Sequence, residues 1–506
     1  MTTAEARPTS PTLERYEAVI GIEVHCQLRT ASKMFCGCST AYDGARPNSH
    51  TCPVCLGLPG ALPVINRRAV ELVLSTGAAI DATTPDATRW DRKNYFYPDL
   101  PKGYQISQYD LPLASAGTLT FDTSEGPVTT GITRAHLEED TAKLVHGEGP
   151  SGERLSLVDF NRSGVPLMEI VTEPDLRSAE QARRYAEELQ LLLRTIGASD
   201  ADMERGQLRV EANVSIRPRG TEPFGTRVEV KNMNSFRSVE RAVAFEIERQ
   251  AAALDAGEPL RMETRGWSDE RGETYHMRVK ESSDDYRYFP EPDLPPLRVD
   301  AAWLAGIRAA LPELPAARRA RYRDALGLSA YDAAVLVADA DAGRLFEATL
   351  AAVPSLEPKP VANWVTGDYL RIRNAASGTI EVDPAALGEL VRLVGDGSIN
   401  RSSGQQVLEA HVATGDAIAA IVDRLGLHQI SDAGALGPVV DAVLAANPAA
   451  VADVRAGKPQ AIGFLVGQVM KATRGQANAS VAHVAIRERL DAAANARADA
   501  GAGHES

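Results

Sequence analysis

The stretch Val19-Ile20-Gly21-Ile22-Glu23-Val24-His25-Cys26-Gln27-Leu28 alternates apolar and polar side chains. Because residues two apart in an extended chain point to the same face, this alternation predicts a strand with one buried and one polar face. The polar face carries Glu23 and His25. The same pattern recurs over residues 208–216, where Glu211 is on the polar face, and over residues 227–231. Together these segments predict a sheet.

Helix signals separate the predicted strands. Ser178 and Gln181 form a capping box, and Gly197 is a typical stop after an apolar helix face. A second helix is predicted over residues 238–254. This interleaving favours an α/β body over residues 12–295. Four prolines within residues 290–296 then mark a linker, beyond which the chain is Ala- and Leu-rich and helical, so the overall class is α+β.

The composition is typical of a globular protein with more than one domain. A chain of 506 residues predicts about two to four domains. The net charge of −14 argues against a protein that coats nucleic acid generally, although it leaves room for a local basic patch. No apolar run approaches the roughly 18 residues of a membrane span, and residues 1–11 lack the apolar core of a signal peptide. We therefore expect a cytoplasmic protein.

Four of the five cysteines form two close pairs, Cys36 with Cys38 and Cys52 with Cys55. Two such pairs joined by a short loop are typical of a tetrahedral thiolate site for Zn²⁺. Four protein ligands leave no open coordination position, so the predicted zinc is structural. The alternative is four reduced, buried thiols. Cys26 is predicted to be a core residue on the inner strand face.

Glu23 and His25 are the first candidate functional pair. On an extended strand they project from one face about 7 Å apart, so a carboxylate and an imidazole can converge on one divalent metal ion. A solvated strand edge would have the same pattern.

The run His136-Leu137-Glu138-Glu139-Asp140 is the second candidate. Taken alone, it is either an ordinary charged loop or an extended segment. If the segment is extended, His136, Glu138 and Asp140 share one face and Glu139 points away.

Two segments, residues 92–98 and 285–290, mix aromatic side chains with arginine. Such loops can stack nucleic-acid bases or a tRNA end, but an aromatic-anchored turn has the same composition. Several other signatures are missing. The sequence contains neither a phosphate-binding Gly-x-x-x-x-Gly-Lys loop nor a dinucleotide-binding Gly-x-Gly-x-x-Gly. It also lacks a Gly/Ser-rich amidase stretch, and residue 2 is Thr where an N-terminal-nucleophile glutaminase would need Cys.

Taken together, the chain resembles the B-subunit family of the aspartyl/glutamyl-tRNA(Asn/Gln) amidotransferases. The resemblance covers nearly the whole chain, and its runs are long and specific. They are residues 20–25, 32–36, 52–60, 91–110, 136–144, 156–174, 208–218, 229–237, 285–296 and 463–475.

The resemblance implies a domain organisation. A cradle-shaped α/β catalytic domain would span residues 1–295, followed by an all-α helical domain over residues 296–410. A small helical, YqeY-like, tRNA-binding tail would span residues 411–490. Residues 491–506 are Ala-, Gly- and Asp-rich without periodicity and predict a disordered end.

The resemblance also implies a heterotrimer in which the partners are an amidase, the A subunit, and a small protein, the C subunit. The side-chain carboxylate of Glu on tRNA(Gln), or of Asp on tRNA(Asn), would be phosphorylated by ATP with Mg²⁺. Ammonia released from glutamine in the amidase would then displace phosphate. We expect Glu23, His25, Glu138 and Glu211 to line one Mg²⁺/ATP pocket, with Glu139 and Asp140 as less certain members. The alternative is a non-catalytic scaffold that presents misacylated tRNA to the amidase.

The last predicted unit carries the candidate basic patch. Between residues 451 and 490 six basic side chains stand against two acidic ones, which is unusual in an acidic chain. Such a patch can bind the RNA backbone, and its candidate contacts are Lys458, Lys471 and Arg474. A solvated helical face is the alternative.

Overall fold

The computed structural model describes residues 14–279, 286–376, 378, 380–430, 433–458, 460–473 and 475–502. The chain divides into two compact units, one ending at Ala317 and the other beginning at Arg318. The first unit is mixed α/β and is built on one large sheet, whereas the described residues of the second unit are helical.

Strands dominate the first unit. Within the described residues they are β1 Tyr16–Gln27, β2 Ala87–Thr88, β3 Asp91–Asn94, β4 Tyr104–Ser107, β5 Ala114–Thr123, β6 Gly126–Glu139, β7 Lys143–Glu148, β8 Arg154–Asp159, β9 Pro166–Thr172, β10 Leu208–Pro218, β11 Val228–Met233, β12 Glu263–Ser268, β13 Glu273–Val279, β14 Phe289–Pro290 and β15 Leu297–Arg298.

Eleven of these strands form one sheet in the order β13-β12-β11-β10-β1-β9-β6-β4-β3-β14, with β5 paired to β6. Neighbouring strands in this sheet are antiparallel except for the parallel pair β11 and β12. Strand β1 lies between β9 and β10, so the predicted strand occupies the middle of the sheet. Antiparallel sheets often bury one face and leave the other polar, as the alternation predicts.

Helices α1 Arg67–Ala79, α2 Ala179–Thr195 and α3 Phe236–Asp255 pack against the apolar face of the sheet. The predicted α2 is confirmed: the Ser178 side chain accepts a hydrogen bond from the Gln181 amide, and Gly197 takes a left-handed conformation with φ of 69°. Cys26 is fully buried in the core that these helices share with β1, which confirms the predicted inner face.

The chain beyond the proline-rich segment is helical, as predicted. The helices are α4 Ala301–Ala309, α5 Pro315–Asp324, α6 Ala330–Ala338, α7 Ala340–Ala352, α8 Pro358–Asn363, a π-helical segment Trp364–Tyr369, α9 Leu370–Ala375, α10 Pro384–Gly395, α11 Arg401–Thr414, α12 Ile418–Leu425, α13 Ala433–Ala446, α14 Pro448–Arg455, α15 Gln460–Ala472 and α16 Ala479–Ala502.

Two observations differ from the predicted boundaries. The first unit continues past the prolines to Ala317, because β14 and β15 pair with β3 and β2 and because Leu294 and Val299 join the first core. Helix α16 runs to Ala502, so residues 491–502 are helical where a disordered end is predicted; alanine has the highest helix propensity of all residues.

Among the described residues, no single helix is long and apolar enough to cross a membrane. Two successive helices, Gly434–Ala446 and Pro448–Arg455, are together long and apolar enough, but the pair is bent by 93°. Leu436 and Val440 of this pair are fully buried in a helical core of the second unit, which accounts for their apolar character.

Candidate active site

A cavity of about 500 Å³ opens on the polar face of the large sheet. Strand residues alternate between faces, so the side chains that line it are those turned away from helices α1, α2 and α3. All four side chains predicted to share a pocket line this cavity: Glu23, His25, Glu138 and Glu211.

The register of four adjacent strands places these groups side by side. His25 on β1 pairs with Glu169 on β9, and Glu169 pairs in turn with His136 on β6. On the other side of β1, Glu23 pairs with Glu211 on β10. Directly opposed residues in antiparallel strands have Cβ atoms about 5 Å apart, so this register alone forces a cluster of charged groups.

Glu169 is the centre of the cluster. One of its carboxylate oxygens lies 3.5 Å from Nε2 of His25 and 3.8 Å from Nε2 of His136. Its other oxygen accepts a hydrogen bond of 3.1 Å from Arg134. The nearest ligand atoms of Glu23, His25 and Glu169, and likewise those of His136, Glu138 and Glu169, lie within 4.8 Å of one another. Such spacing allows a single cation to be shared by each group.

Glu138 lies on the β6 side of the cluster and is 2% exposed. It accepts hydrogen bonds from Ser107 at 2.9 Å and from Gln105 at 3.0 Å, and Nζ of Lys93 is 3.5 Å away. His25 is 3.9 Å from the same carboxylate. The hydrogen bonds fix the orientation of the Glu138 carboxylate toward the cavity.

Burial and mutual attraction shift the pKa values of these groups. Burial by itself disfavours the charged form of His25, but the adjacent Glu169 and Glu23 carboxylates outweigh it and raise the His25 pKa to about 9. For Glu169, the burial that would raise the pKa is outweighed by His136, His25 and Lys93, which hold it well below the usual value. Burial and repulsion from Glu169 raise the pKa of Glu23. Close pairing therefore favours the charged forms of His25 and Glu169, whereas the charged form of Glu23 is disfavoured.

Glu211 takes part in a neighbouring group with Glu23 and Glu229. Nζ of Lys231 lies 2.7 Å from Glu211 and 3.9 Å from Glu229, and Thr264 donates a 2.7 Å hydrogen bond to Glu229. Glu23 belongs to both groups of carboxylates, so it links the Glu169 cluster to the Lys231 side of the cavity.

The extended interpretation of residues 136–140 is confirmed for the strand, since β6 includes His136 to Glu139. His136 and Glu138 line the cavity, whereas Glu139 turns away, pairs with Lys102 at 2.6 Å and lines a second pocket. Glu139 does not belong to the predicted pocket because alternate residues of a strand face opposite sides.

Asp140 lines the cavity, but its carboxylate is already paired with cations of the protein. It is 4% exposed, accepts a 2.8 Å hydrogen bond from Gln27, and lies 3.1 Å from Arg209 and 3.7 Å from Arg162. Burial would raise its pKa, but the two arginines reverse this effect and lower the pKa to about 2. We therefore regard Asp140 as an anchor for Arg209 and Arg162.

Replacing Asp140 with asparagine should lower the free energy of unfolding at pH 7 by about 3 kcal/mol, because two cations lose a buried partner. Since the folded-state pKa lies below the ordinary value of 3.8, the carboxylate stabilises the protein above about pH 4, and this contribution fades as the pH falls through about 2. Denaturant unfolding of both proteins at pH 7 measures the loss. Asp255→Asn, at an exposed pair with Arg15, is the control, and an equal loss in both variants would contradict the prediction.

Sequence reasoning missed Glu169 and Glu229 as members of the site. Glu169 stands alone among the apolar residues of β9, and a single acid within an apolar strand is the signal that could have singled it out. Glu229 lies between the inward residues Val228 and Val230, so the alternation of β11 already places it on the polar face.

The four paired cysteines do come together. The Sγ atoms of Cys36, Cys38, Cys52 and Cys55 all lie within 4.8 Å of one another, which is close enough for one metal ion. The buried amine of Lys33 lies 3.6 Å from Sγ of Cys55. A hydrogen bond with Cys36, aided by Lys33, lowers the Cys55 pKa to about 4, whereas burial raises that of Cys38 to about 11. The cluster is thus a candidate thiolate metal site.

The candidate basic residues of the last unit have different surroundings. Lys458 is exposed and pairs with Asp453 at 2.8 Å. Lys471 is exposed near the end of α15, and Arg474 lies outside the described residues.

These features define a mixed α/β protein with a carboxylate- and cation-lined cavity and a separate four-cysteine cluster. Comparison with known proteins agrees with the resemblance over most of the chain. A family model for the GatB/GatE catalytic domain matches residues 18–305, and a model for the GatB domain matches residues 344–490.

Curated relatives extend this match. The B subunit of the aspartyl/glutamyl-tRNA(Asn/Gln) amidotransferase of Moorella thermoacetica is 54% identical over 478 residues, covering 94% of this chain and 100% of that protein. The B subunits of the same name from Anaeromyxobacter sp. (strain K) and Picosynechococcus sp. are 51% and 48% identical, and each alignment covers 99% of the relative. The chain belongs to the B-subunit family of the aspartyl/glutamyl-tRNA(Asn/Gln) amidotransferases.

Proposed function

We propose that this chain activates the side-chain carboxylate of Glu esterified to tRNA(Gln), or of Asp esterified to tRNA(Asn), and converts it to an amide. The observation that carries the proposal is the cluster around Glu169, in which Glu23, His25 and Glu138 converge within one cavity beside Lys93. A carrier protein for tRNA has no need of buried carboxylates arranged in this way.

The reaction needs two steps because a carboxylate is a poor acyl donor. In the first step a carboxylate oxygen of the aminoacyl group attacks the γ-phosphorus of ATP, and ADP leaves. In the second step ammonia attacks the resulting acyl carbon, phosphate leaves, and the nitrogen loses a proton. The acyl phosphate must be kept from water between the steps.

The donor set suits Mg²⁺, which prefers oxygen ligands and retained waters. Glu23, Glu138 and Glu169 are grouped acids of the kind that a cation holds together, and Nδ1 of both His25 and His136 lacks a hydrogen-bond partner among the described residues. When bound, the ion would offset charge on the phosphates. Glu211 and Glu229 would hold it only by giving up their contacts with Lys231.

The protein's own cations provide the remaining electrostatics. Lys93 and Arg134 project into the cavity, and each already pairs with a cluster carboxylate. Both can bind an anionic group of the substrate there. Such preorganised charges stabilise a transition state with little reorganisation.

The proposal includes partners and a location. Ammonia would come from glutamine hydrolysed by the A subunit, because the sequence lacks the amidase signatures, and the small C subunit would complete a heterotrimer. The assembly would act in the cytoplasm on misacylated tRNA. We also propose a finer division of the chain: a cradle-shaped catalytic domain that extends past residue 295 to Ala317, a helical domain that follows it up to about residue 410, and a YqeY-like tail over residues 411–490.

For the cysteine cluster we propose structural Zn²⁺. The mutual spacing of the four Sγ atoms is compatible with tetrahedral coordination, in which Zn–S bonds of about 2.3 Å separate the sulfurs by a little under 4 Å. The observed contact between Cys52 and Cys55 is 3.9 Å. The cluster is distinct from the carboxylate cavity, since none of its cysteines lines that cavity.

The alternative of a non-catalytic scaffold makes a different prediction for the reconstituted trimer. Misacylated tRNA, ATP and glutamine are supplied to wild-type trimer, and phosphate release is followed together with conversion of Glu-tRNA(Gln) and Asp-tRNA(Asn) in separate reactions. If this chain is catalytic, trimer carrying Glu23→Ala should no longer release phosphate, although it should still bind tRNA. A scaffold would keep phosphate release in that variant.

Removing residues 411–506 should raise the KM for tRNA at least 10-fold, because the truncation deletes the candidate basic contacts, Lys458 and Lys471 among them. Glutamine hydrolysis by the amidase without tRNA should persist. The measurement is initial-rate kinetics of the trimer at several salt concentrations, since phosphate contacts weaken with salt. Charge reversal at Lys458 and Lys471 in the full chain is the control that separates lost charge from lost structure. Unchanged tRNA affinity in both the truncated and the charge-reversed protein would contradict the prediction of a tRNA-binding basic patch.

A further inference from the structure

Five tyrosines line one side of the cavity and form a continuous aromatic surface, here called the aromatic wall: Tyr95, Tyr97, Tyr109, Tyr286 and Tyr288. The rings of Tyr109 and Tyr288 are stacked, with centroids 4.3 Å apart and planes 15° from parallel. Tyr286 makes edge contacts with Tyr95 and Tyr288 at 6.0 and 6.2 Å. The two aromatic segments of the sequence therefore meet at one place, although nearly 200 residues separate them.

The wall is held by the sheet. Phe289 in β14 pairs with Arg92 in β3, and the Arg92 guanidinium donates two hydrogen bonds of 2.7 and 2.8 Å to the carboxylate of Glu291. The Asn94 side chain donates to the backbone carbonyls of Tyr286 and Arg287 at 3.3 and 2.8 Å. A platform whose backbone is fixed in this way loses little conformational entropy when a ligand binds.

Two cations connect the wall to the carboxylate cluster. Lys93 lies 5.4 Å from the ring centroid of Tyr286 and 3.5 Å from Glu138. Arg134 lies 5.5 Å from the ring centroid of Tyr109 and 3.1 Å from Glu169, and its buried Nε has no hydrogen-bond partner among the described residues. An aromatic face and a set of carboxylates thus border the same two cations.

The tyrosines of the wall are more exposed than an aromatic-anchored turn requires. A turn is stabilised by burying its rings, yet Tyr97 and Tyr109 remain 52% and 43% exposed at the edge of the cavity. The layout suits a ligand with a flat aromatic part and an anionic or reacting part a short distance away. Both substrates of the proposed reaction offer adenine as such a part: ATP carries it, and so does the 3′-terminal nucleotide of tRNA.

We infer that the aromatic wall is a stacking subsite for an adenine base, with Tyr109 and Tyr288 as its main platform. The inference rests on the proposed function, which supplies the two adenine-bearing substrates. Stacking on an aromatic side chain suits any base because every base has a π face, so the wall binds and orients while the carboxylates and cations carry specificity for the reacting end.

The test uses the reconstituted trimer with Tyr109→Leu and Tyr288→Leu, each matched by a Phe variant at the same position. Loss of stacking should raise the KM for one adenine-bearing substrate about 10-fold in the Leu variants, while the Phe variants stay near wild type. Tyr331→Leu, at a highly exposed tyrosine of the second unit, is the control for general effects.

A second measurement is independent of turnover. 2-Aminopurine replaces adenine either in the triphosphate or at the 3′ end of the tRNA, and wild-type trimer should quench the fluorescence of one probe through stacking. Quenching of the triphosphate assigns the subsite to the nucleotide, and quenching of the tRNA end assigns it to the terminal adenosine.

Absence of quenching with both probes in the wild-type trimer would overturn the inference, whatever the folding of the variants. So would Leu variants that leave both KM values unchanged. Failure of the proposed function has a separate signature, because wild-type trimer would then release no phosphate with misacylated tRNA even if a probe is quenched.

Discussion

Trimer carrying Glu169→Gln is expected to lose ATP-dependent phosphate release and amide formation by at least about 100-fold, which corresponds to roughly 3 kcal/mol or more in the transition state. Glu169 contacts His25, His136 and Arg134 at once, so removing its charge disturbs every part of the cluster. The glutamine side chain keeps the size of the original group, so the effect reports lost charge and not a cavity. Single-turnover phosphate release with misacylated tRNA is the measurement.

Glu23→Ala and Glu211→Ala are expected to abolish the same two activities. In all three variants glutamine hydrolysis by the amidase and tRNA binding should persist, since neither depends on the cluster. Glu17→Ala is the matched control, because Glu17 lies on β1 but pairs with Arg217 outside the cavity. Near-normal ATP turnover with misacylated tRNA in the Glu169, Glu23 or Glu211 variant would show that the site lies elsewhere in the chain.

Purified protein is expected to contain about one zinc ion per chain, and Cys52→Ser should reduce this content to near zero. Structural zinc sites supply on the order of 10 kcal/mol in small domains, so losing the ion should locally unfold residues 29–66 or destabilise the whole first unit. Elemental analysis of freshly prepared, unchelated protein and limited proteolysis of this loop are the measurements. Whatever trimer remains folded should keep its chemistry, because no cysteine of the cluster lines the cavity.

Cys26→Ala is the matched control for the cysteine variant. Cys26 is fully buried in the core and is not a member of the cluster, so its replacement should leave the zinc content at about one. Wild-type protein without any bound metal would defeat the zinc proposal. Equal zinc loss in the Cys26 and Cys52 variants would show that general unfolding, and not ligand removal, releases the ion.

Short-range patterns in the sequence determine much of the architecture. The alternation around Glu23 requires a strand with one polar face, because side-chain direction in a strand repeats every two residues. Ser178 and Gly197 mark the ends of α2, because helix termini need specific capping groups. The paired cysteines are visible in the same way, since metal ligands close together in sequence keep their spacing in space.

The tertiary structure decided which of the candidate acids belong together. Strand register placed Glu169 opposite His25, yet β9 and β1 are more than a hundred residues apart, so no local pattern contains that contact. Glu139 turns away from the cavity by strand alternation, as the sequence predicted, and it pairs with Lys102 in a second pocket. Only the tertiary structure shows that two arginines engage Asp140.

The tyrosines show the same division between sequence and structure. Four of them, Tyr95, Tyr97, Tyr286 and Tyr288, lie in the two segments that could be recognised in the sequence as aromatic and basic, and the pairing of β14 with β3 brings these segments together. Tyr109 lies in neither segment and joins the wall through its stacking contact with Tyr288. The sequence by itself determined the strand around Glu23, the strands over residues 208–216 and 227–231, the capped helix α2 and the cysteine pairs, because each depends on residues close together in the chain. The composition of the cavity depends on contacts between distant segments, and those are decided by the packing of the whole sheet.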